Sequence, residues 1–404
     1  MITIGIVDKK LFLPILAGIL YFPLYYTAEY TAVQYHYIIF CLCSSLGMSL
    51  SFIPLIISRI NMKKAMVNKT EKQKPKNNKN IEIQLIYNKS SDEIKRYKFL
   101  FIFLSALTDF SQSIIAALTV TYTIKVNFWL LDFFFLSVLS YFILKIKLLK
   151  HQILSMIIII TLGIILDLFF GNLFDIFHYF VYFLLRIFCE FCFSFSQIIN
   201  KYSMDFKFSP PYEVCSFIGI FTLVFYLISL IISSYIPCYN NFCFVKDENH
   251  KYFDNFRVYI HEINLKELFL FFIEMIIFGL INIFTILTVK YFTPFHSIII
   301  LIIGRIVLAI QKMIKETEIY DILYFIILLL ILFGLLIFLE IIILNFCGIQ
   351  KYTKNYIEKR GQEDIILTLK TVQTIQSDES VNINDENDSE ENKSSSISRN
   401  TSNY

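Results

Sequence analysis

The stretch Ser105–Leu118, SALTDFSQSIIAAL, places a carboxylate near the middle of a run that is otherwise lipid-soluble. At 1.5 Å per residue, the run from Phe99 to Thr123 is long enough to cross a bilayer core about 30 Å thick, with Asp109 about 15 Å in. An ionised Asp at that depth costs roughly 2.5–3.5 kcal/mol on insertion scales. Asp109 must therefore face something other than acyl chains. The fold depends on how many runs of this kind the chain holds, and on what else they carry.

Composition makes the membrane the solvent. Of 404 residues, 56% are hydrophobic and only 17% are charged, with 43 Phe, 25 Tyr and a mean hydropathy of +0.61; soluble domains run near 25% charged. Apolar runs near twenty residues occur ten times, at 11–30, 36–58, 99–123, 126–144, 152–170, 177–199, 213–236, 267–289, 294–311 and 321–346. Every backbone group in hydrocarbon needs an internal partner, so these runs are expected as helices. Strand-period alternation is absent, which excludes an outer-membrane barrel. The expectation is an all-α polytopic membrane protein with ten transmembrane helices.

Lysine and arginine in the connections set the orientation. Lys9, Lys10, the 61–98 connection with eleven bases against four acids, 145–151 and 350–360 fall on one side. The other side receives little apart from 237–266, with four bases, and 312–320, with two. Both termini are expected in the cytosol. The first run continues past the length of a signal-peptide core and lacks a clean small-residue cleavage site, so it reads as the first helix. Ten spans divide into five and five near residue 175, and an odd number per half inverts the second half, as in inverted-repeat transporters. The expected organisation is a first half at 1–175, a second half at 176–350 and a disordered acidic tail at 351–404. Residues 361–404 hold nine acids, three bases and many Ser and Asn, a composition that buries no core.

Asp109 has polar company at helical spacing. Ser105, Thr108, Asp109 and Gln112 share one face of the third run. Arg186, Glu190 and Gln197 share a face of the sixth, and Glu274, Asn282 and Thr285 a side of the eighth. Arg305 sits deep in the ninth and Asp132 in the fourth. Such stripes face a bundle interior or a water-filled cavity. Each also has a plainer reading: Arg186 and Glu190, four residues apart, can neutralise each other. Gln112, Gln197 and Asn282 suit interhelical hydrogen bonds, and Glu29, Asp167 and Lys290 suit headgroups. Asp132 suits pairing with Arg305 or the outer turn, and Glu340 suits anchoring the last helix.

No catalytic motif emerges, and all six His lie at run ends or in connections. Asp175 and His178 have the spacing of a metal pair, though capping explains them more simply. Cys189 and Cys192 form a CxxC inside an apolar run with no second pair at zinc spacing, so packing is their expected role. Cys238 and Cys243 share a non-cytosolic connection, where a disulfide is open. The sequons at Asn68, Asn88, Asn387, Asn392 and Asn400 fall on the cytosolic side, where no glycosylation is expected.

Several stretches carry a resemblance. SALTDFSQSIIAALTVTYT is similar to the third helix of the drug/metabolite transporter superfamily, near solute carrier family 35, which includes nucleotide-sugar transporters. YFILKIKLLKHQILSMIIIITLGIIL resembles that group's junction of fourth and fifth helices. INIFTILTVKYFTPFHSIIILIIGRIVLAI resembles its eighth and ninth, with Lys290 and Arg305 at matching places. GLLIFLEIIILNFCGIQKYTKNYIEKR resembles the last helix and its exit. The resemblance spans residues 99–352 and implies two five-helix inverted repeats that carry a small polar, even anionic, solute across an internal membrane of the Golgi, ER or vacuole. It implies a substrate site drawn from Asp109, Gln112, Glu190, Gln197, Glu274, Asn282, Lys290 and Arg305, without metal or cofactor. The expected partners are the solute and the lipid bilayer, with no nucleic acid; a homodimer is compatible with the plan. The alternative is a structural or regulatory membrane protein of the same fold that transports nothing; the low glycine count, 11, and the acidic tail speak for it.

Overall fold

In the computed structural model the described residues are 2–4, 9–30, 37–61, 97–120, 131–146, 148–170, 180–233, 235, 245–246, 251–252, 263–315 and 319–344. All belong to one compact unit, Met1–Asn345. The acidic tail, most of the 61–98 connection, Cys238, Cys243, Asp175, His178 and the five sequons lie outside the described residues.

The chain is helical. Its helices are α1 (Phe12–Ile19), α2 (Tyr21–Tyr30), α3 (Tyr37–Ser49), α4 (52–61), α5 (Lys98–Val120), α6 (Leu131–Ile143), α7 (Lys150–Phe170), α8 (Phe180–Phe206), α9 (Pro211–Ser233), α10 (Leu265–Tyr291), α11 (His296–Lys315) and α12 (Ile319–Phe338). Seven stretches are long and apolar enough to cross a membrane: Cys41–Asn61, Lys98–Ala116, Phe183–Phe206, Pro211–Ser233, Leu265–Tyr291, His296–Ile314 and Ile319–Phe338. Three shorter apolar helices occupy Phe12–Leu24, Leu131–Ile143 and Lys150–Leu166. This is the architecture of a multi-pass membrane protein. Its outer faces agree: Ile220, Val224, Leu227 and Ile231 of α9 and Ile322, Ile326, Leu330 and Phe333 of α12 are exposed, while many Ser and Thr are buried. A soluble monomer does not expose apolar bands of that extent.

Two expected runs are interrupted, and proline explains both. Pro23 has no N–H for the Ile19 carbonyl, and α1 ends at Ile19; Pro54 has none for Leu50, where α3 gives way to α4. The last helix stops at Phe338, well short of the expected 346. Glu340 there takes φ 60° in the left-handed region, and strand β4 (Ile342–Leu344) pairs antiparallel with β1 (Ile2–Ile4). Lys145 and Phe208 also have positive φ, 59° and 52°. In both cases the chain closes a helix C-terminus, with Ile146 N–H reaching Ser140 O and Ser209 N–H reaching Ser203 O. That is the hydrogen bond of a Schellman cap, made without its usual glycine. A second short ribbon joins β2 (Val245–Lys246) to β3 (Lys251–Tyr252).

Lipid tails are as apolar as Leu, so close packing rather than hydrophobicity must hold such helices together. The glycines sit where helices cross. A Cβ on Gly47 of α3 would lie 2.7 Å from the Gly279 backbone nitrogen of α10, and one on Gly219 of α9 would lie 2.5 Å from the Ser49 nitrogen. Gly18 admits Ile303 of α11, and Gly304 admits Tyr21 of α2. The helix pairs in contact include α5 with α8 and α9, α6 with α8, α3 with α9 and α10, α1 with α10 and α11, and α7 with α12. Along α5 and α9 aromatic rings meet in step: Phe99 with Phe217 at 5.1 Å, Phe103 with Phe221 at 5.6 Å, and Phe110 with Tyr226 at 5.1 Å.

Candidate functional site

The polar wall of the bundle is α8. Glu190, Ser194, Ser196, Gln197, Asn200 and Ser203 are all buried there. Antiparallel to it runs α5, and Ser105 Oγ donates to Asn200 Oδ1 at 2.7 Å and lies 3.0 Å from Ser196 Oγ. Two turns outward the Cys189 thiol donates to the Gln112 carbonyl oxygen at 3.5 Å. Asp109 sits on the same side of α5, about 40° around the helix from Ser105 and about 60° from Ala106. Ser105 and Ala106 are sealed at 0% exposure, whereas Asp109, deep among the helices, keeps accessible surface. Among the described residues its carboxylate has no hydrogen-bond or ion-pair partner.

Below Asp109 the interior is closed by an apolar floor of Ile102 and Ala106 of α5, Met204 of α8, Val214 and Ile218 of α9, and Ile286 and Val289 of α10. Beneath that floor lies a lysine-rich end. Lys201 Nζ donates to the Lys290 and Phe292 carbonyl oxygens at 3.0 and 2.7 Å and pairs with Asp205 at 3.0 Å. Lys290 Nζ returns the arrangement, donating to Met204 O at 3.0 Å and pairing with Asp205 at 3.2 Å. Each lysine thus caps the carbonyl end of the other's helix, where a cation is favoured by the macrodipole. Lys290, expected to reach the headgroups and to line the site, is held here by Asp205 and the Met204 carbonyl oxygen. At the same end Glu213 in the first turn of α9 is clasped by Lys98 at 2.7 Å and Arg59 at 3.6 Å. His151 Nε2 meets Glu340 at 3.2 Å, and Lys10 lies 3.8 Å over the Tyr291 ring.

Glu190 joins a second group nearer the opposite end. Arg186 pairs with it at 2.7 Å, the neutralisation that their spacing allowed. Asp132 at the start of α6 is buried beside both, and the Ser194 hydroxyl donates to its carboxylate at 3.4 Å. Asp132 was expected to pair with Arg305 or face the outer turn; its helix instead packs on α8, which brings it to Ser194. Across the bundle α10 makes a third group with α3. Asn282 Nδ2 donates to Ser44 Oγ at 3.3 Å and to Phe278 O at 3.0 Å, the interhelical bond expected of it. Glu274 is fully buried, within electrostatic range of Cys43.

The expected residues therefore divide. Asp109, Gln112, Glu190 and Gln197 lie on the α5 and α8 walls, Glu274 and Asn282 on α10 facing α3, and Lys290 in the lysine-rich end. Arg305 is half-buried at the midpoint of α11. Reading the sequence missed Lys201, Asp205, Asn200 and Glu213, whose signals were an i, i+4 Lys–Asp pair past a run's end and an acid just after Pro210 and Pro211. Among the described residues no group of three or more His, Cys, Asp or Glu could hold a metal ion. No protein-family model and no curated protein matches the chain.

Proposed function

We propose that the chain is a ten-span secondary carrier of a small polar solute, built as two inverted five-span halves and set in an internal membrane with both termini cytosolic. One observation carries this reading: seven of the eight candidate residues cluster at mid-helix. Asp109 is the middle residue of α5 and Arg305 is within one residue of the middle of α11. Gln112, Glu190, Gln197, Glu274 and Asn282 all fall within about 6 Å of the middle of their helices at 1.5 Å per residue. Polar groups are costly there, and a midplane site between halves is where such carriers bind solute.

The helix pairs support the repeat. Exchanging the first five spans with the second turns the α5–α8 contact into α10–α1, α6–α8 into α11–α1, and α5–α9 into α10–α3. The α3–α9 and α7–α12 contacts map onto themselves. All of these contacts occur, as a two-fold axis in the membrane plane requires. Orientation is supported by the lysine-rich end, which gathers Lys10, Arg59, Lys98, Lys201 and Lys290.

In the mechanism the halves rock about the midplane and expose the site to one side at a time. The Lys98–Glu213–Arg59 clasp, the His151–Glu340 pair and the β1–β4 pairing all join the two halves at the lysine-rich end. Opening toward the cytosol breaks them. Arg305 meets an acidic group on the solute where there is one, since its planar fork matches carboxylate and phosphate. Asp109 and Glu274 bind donors on the solute or carry a coupling proton. The resemblance to solute carrier family 35 puts nucleotide sugars and related metabolites first on the test panel.

Counterflow in reconstituted vesicles, against nucleotide sugars, sugar phosphates and amino acids, tests the proposal. Arg305→Gln and Asp109→Asn should each abolish uptake of the accepted solute while the protein stays folded. A scaffold of the same fold exchanges no solute, and these substitutions then alter folding or nothing.

A further inference from the structure

Resting on the carrier reading, we infer that the midplane site at Asp109 takes a solute bearing a protonated amine, the ammonium pairing with the Asp109 carboxylate. The inference starts from what the interior leaves unsatisfied. Asp109 lies on the side of α5 between Ser105, which meets α8, and Phe110, which meets α9; it keeps accessible surface, and its carboxylate has no partner among the described residues. Two turns of α8 beyond Glu190, Gln197 is buried to 8% exposure with its Oε1 unpaired among the described residues. Gln197 is about 60° around α8 from Asn200, the residue that meets Ser105 of α5, and so borders the same α5–α8 seam. Both unsatisfied groups are acceptors. A complementary ligand must supply N–H donors and positive charge, because an unpaired buried acceptor is costly and a charge-assisted pair is the strongest available remedy.

The cationic side chains nearest this seam already have acidic partners. Arg186 is held by Glu190 at 2.7 Å, with Asp132 as a further acid in the same group. Lys201 shares Asp205 with Lys290, and Lys98 is held by Glu213 at 2.7 Å. Beside Asp109 on this side of α5 lies the Gln112 side chain, backed by the polar layer of Ser105, Ser196 and Asn200, which bond among themselves. That lining suits a small hydrophilic amine. An anionic metabolite presenting phosphate to this wall would meet Asp109 as a like charge.

The test uses the purified full chain with 1,4-diaminobutane as the cationic probe and inorganic phosphate and uridine monophosphate as anionic ones. Binding is read as ligand-induced thermal stabilisation in detergent, and transport as counterflow in vesicles. The expected result is that 1,4-diaminobutane binds and Asp109→Asn weakens it about tenfold or more, the loss of a charge-assisted contact. Asp109→Glu should retain part of the affinity. Gln197→Leu should weaken binding while raising the unliganded protein's own stability, since it removes a buried orphan acceptor; a purely structural Gln197 would not separate the two. Binding that is lost in Asp109→Asn without counterflow of the probe supports the amine site and sinks the carrier reading. Counterflow of the anions alone, unchanged in Asp109→Asn, keeps the carrier and overturns the amine site. Stabilisation by 1,4-diaminobutane that is equal in the wild type and Asp109→Asn also overturns it.

Discussion

Replacing Gly47 with Ala probes the closest crossing in the bundle. The new Cβ would stand 2.7 Å from the Gly279 nitrogen and still closer to the Met275 carbonyl oxygen, both backbone atoms of α10. Ordinary contact begins near 3.4 Å, so α3 and α10 must part by about 0.7 Å or more. Neither atom can turn aside, which puts the cost near the upper end of the roughly 1–3 kcal/mol of overpacking. Against it stands the better helix propensity of Ala, about 1 kcal/mol. The net expectation is about 2 kcal/mol of destabilisation. Gly334→Ala supplies the control, since its Cβ would meet only the Ile159 side chain, 3.0 Å away and free to rotate. The assay is the denaturation midpoint in mixed detergent micelles. Should Gly47→Ala unfold no more readily than Gly334→Ala, backbone contact at this crossing does not hold the bundle, and the packing argument fails.

Three further outcomes follow from named contacts. Glu213→Gln removes a buried acid from Lys98 and Arg59 and should cost about 3 kcal/mol, the low end for a buried pair because Arg59 is over half exposed; the same denaturation assay reads it, and Lys98→Met in the same chain should recover part of the loss. Phe208→Gly relieves a left-handed φ of 52° and should stabilise the protein by about 1 kcal/mol, seen as a later midpoint. Ser105→Ala deprives Asn200 of one donor and should cost only about 0.6 kcal/mol, as polar contacts in membranes generally do.

Much of this was legible because hydropathy is a strong signal at span length. Each of the ten apolar runs overlaps a helix among the described residues, although only seven stretches meet the length and apolarity of a crossing. The interruptions at Ile19 and Leu50 were readable in principle from Pro23 and Pro54, four residues on in each case. The extension of α8 to Phe206 was not anticipated, because Lys201 reads as a membrane boundary when its partners are unknown. Its capping of α10 is a tertiary fact, and no spacing within α8 encodes it. Pairing within one helix was open to reading, as with Arg186 and Glu190. Pairing between helices, as between Asp132 and Ser194, required knowing that α6 lies on α8. That Asp109 shares a helix face with Ser105 followed from helical period, whereas its lack of a partner among the described residues depended on every neighbouring helix.

The central claim is that Asp109 looks into a wet midplane cleft, and thiol labelling at that position tests it most directly. In a chain whose native cysteines are replaced, Asp109→Cys in sealed vesicles is exposed to a charged, membrane-impermeant thiosulfonate, with Phe103→Cys on the exposed apolar side of α5 as the reference. The account predicts rapid labelling at 109 from the face opposite the lysine-rich end, slowed by bound 1,4-diaminobutane, and none at 103. Labelling at 109 as slow as at 103, from either face, would contradict it.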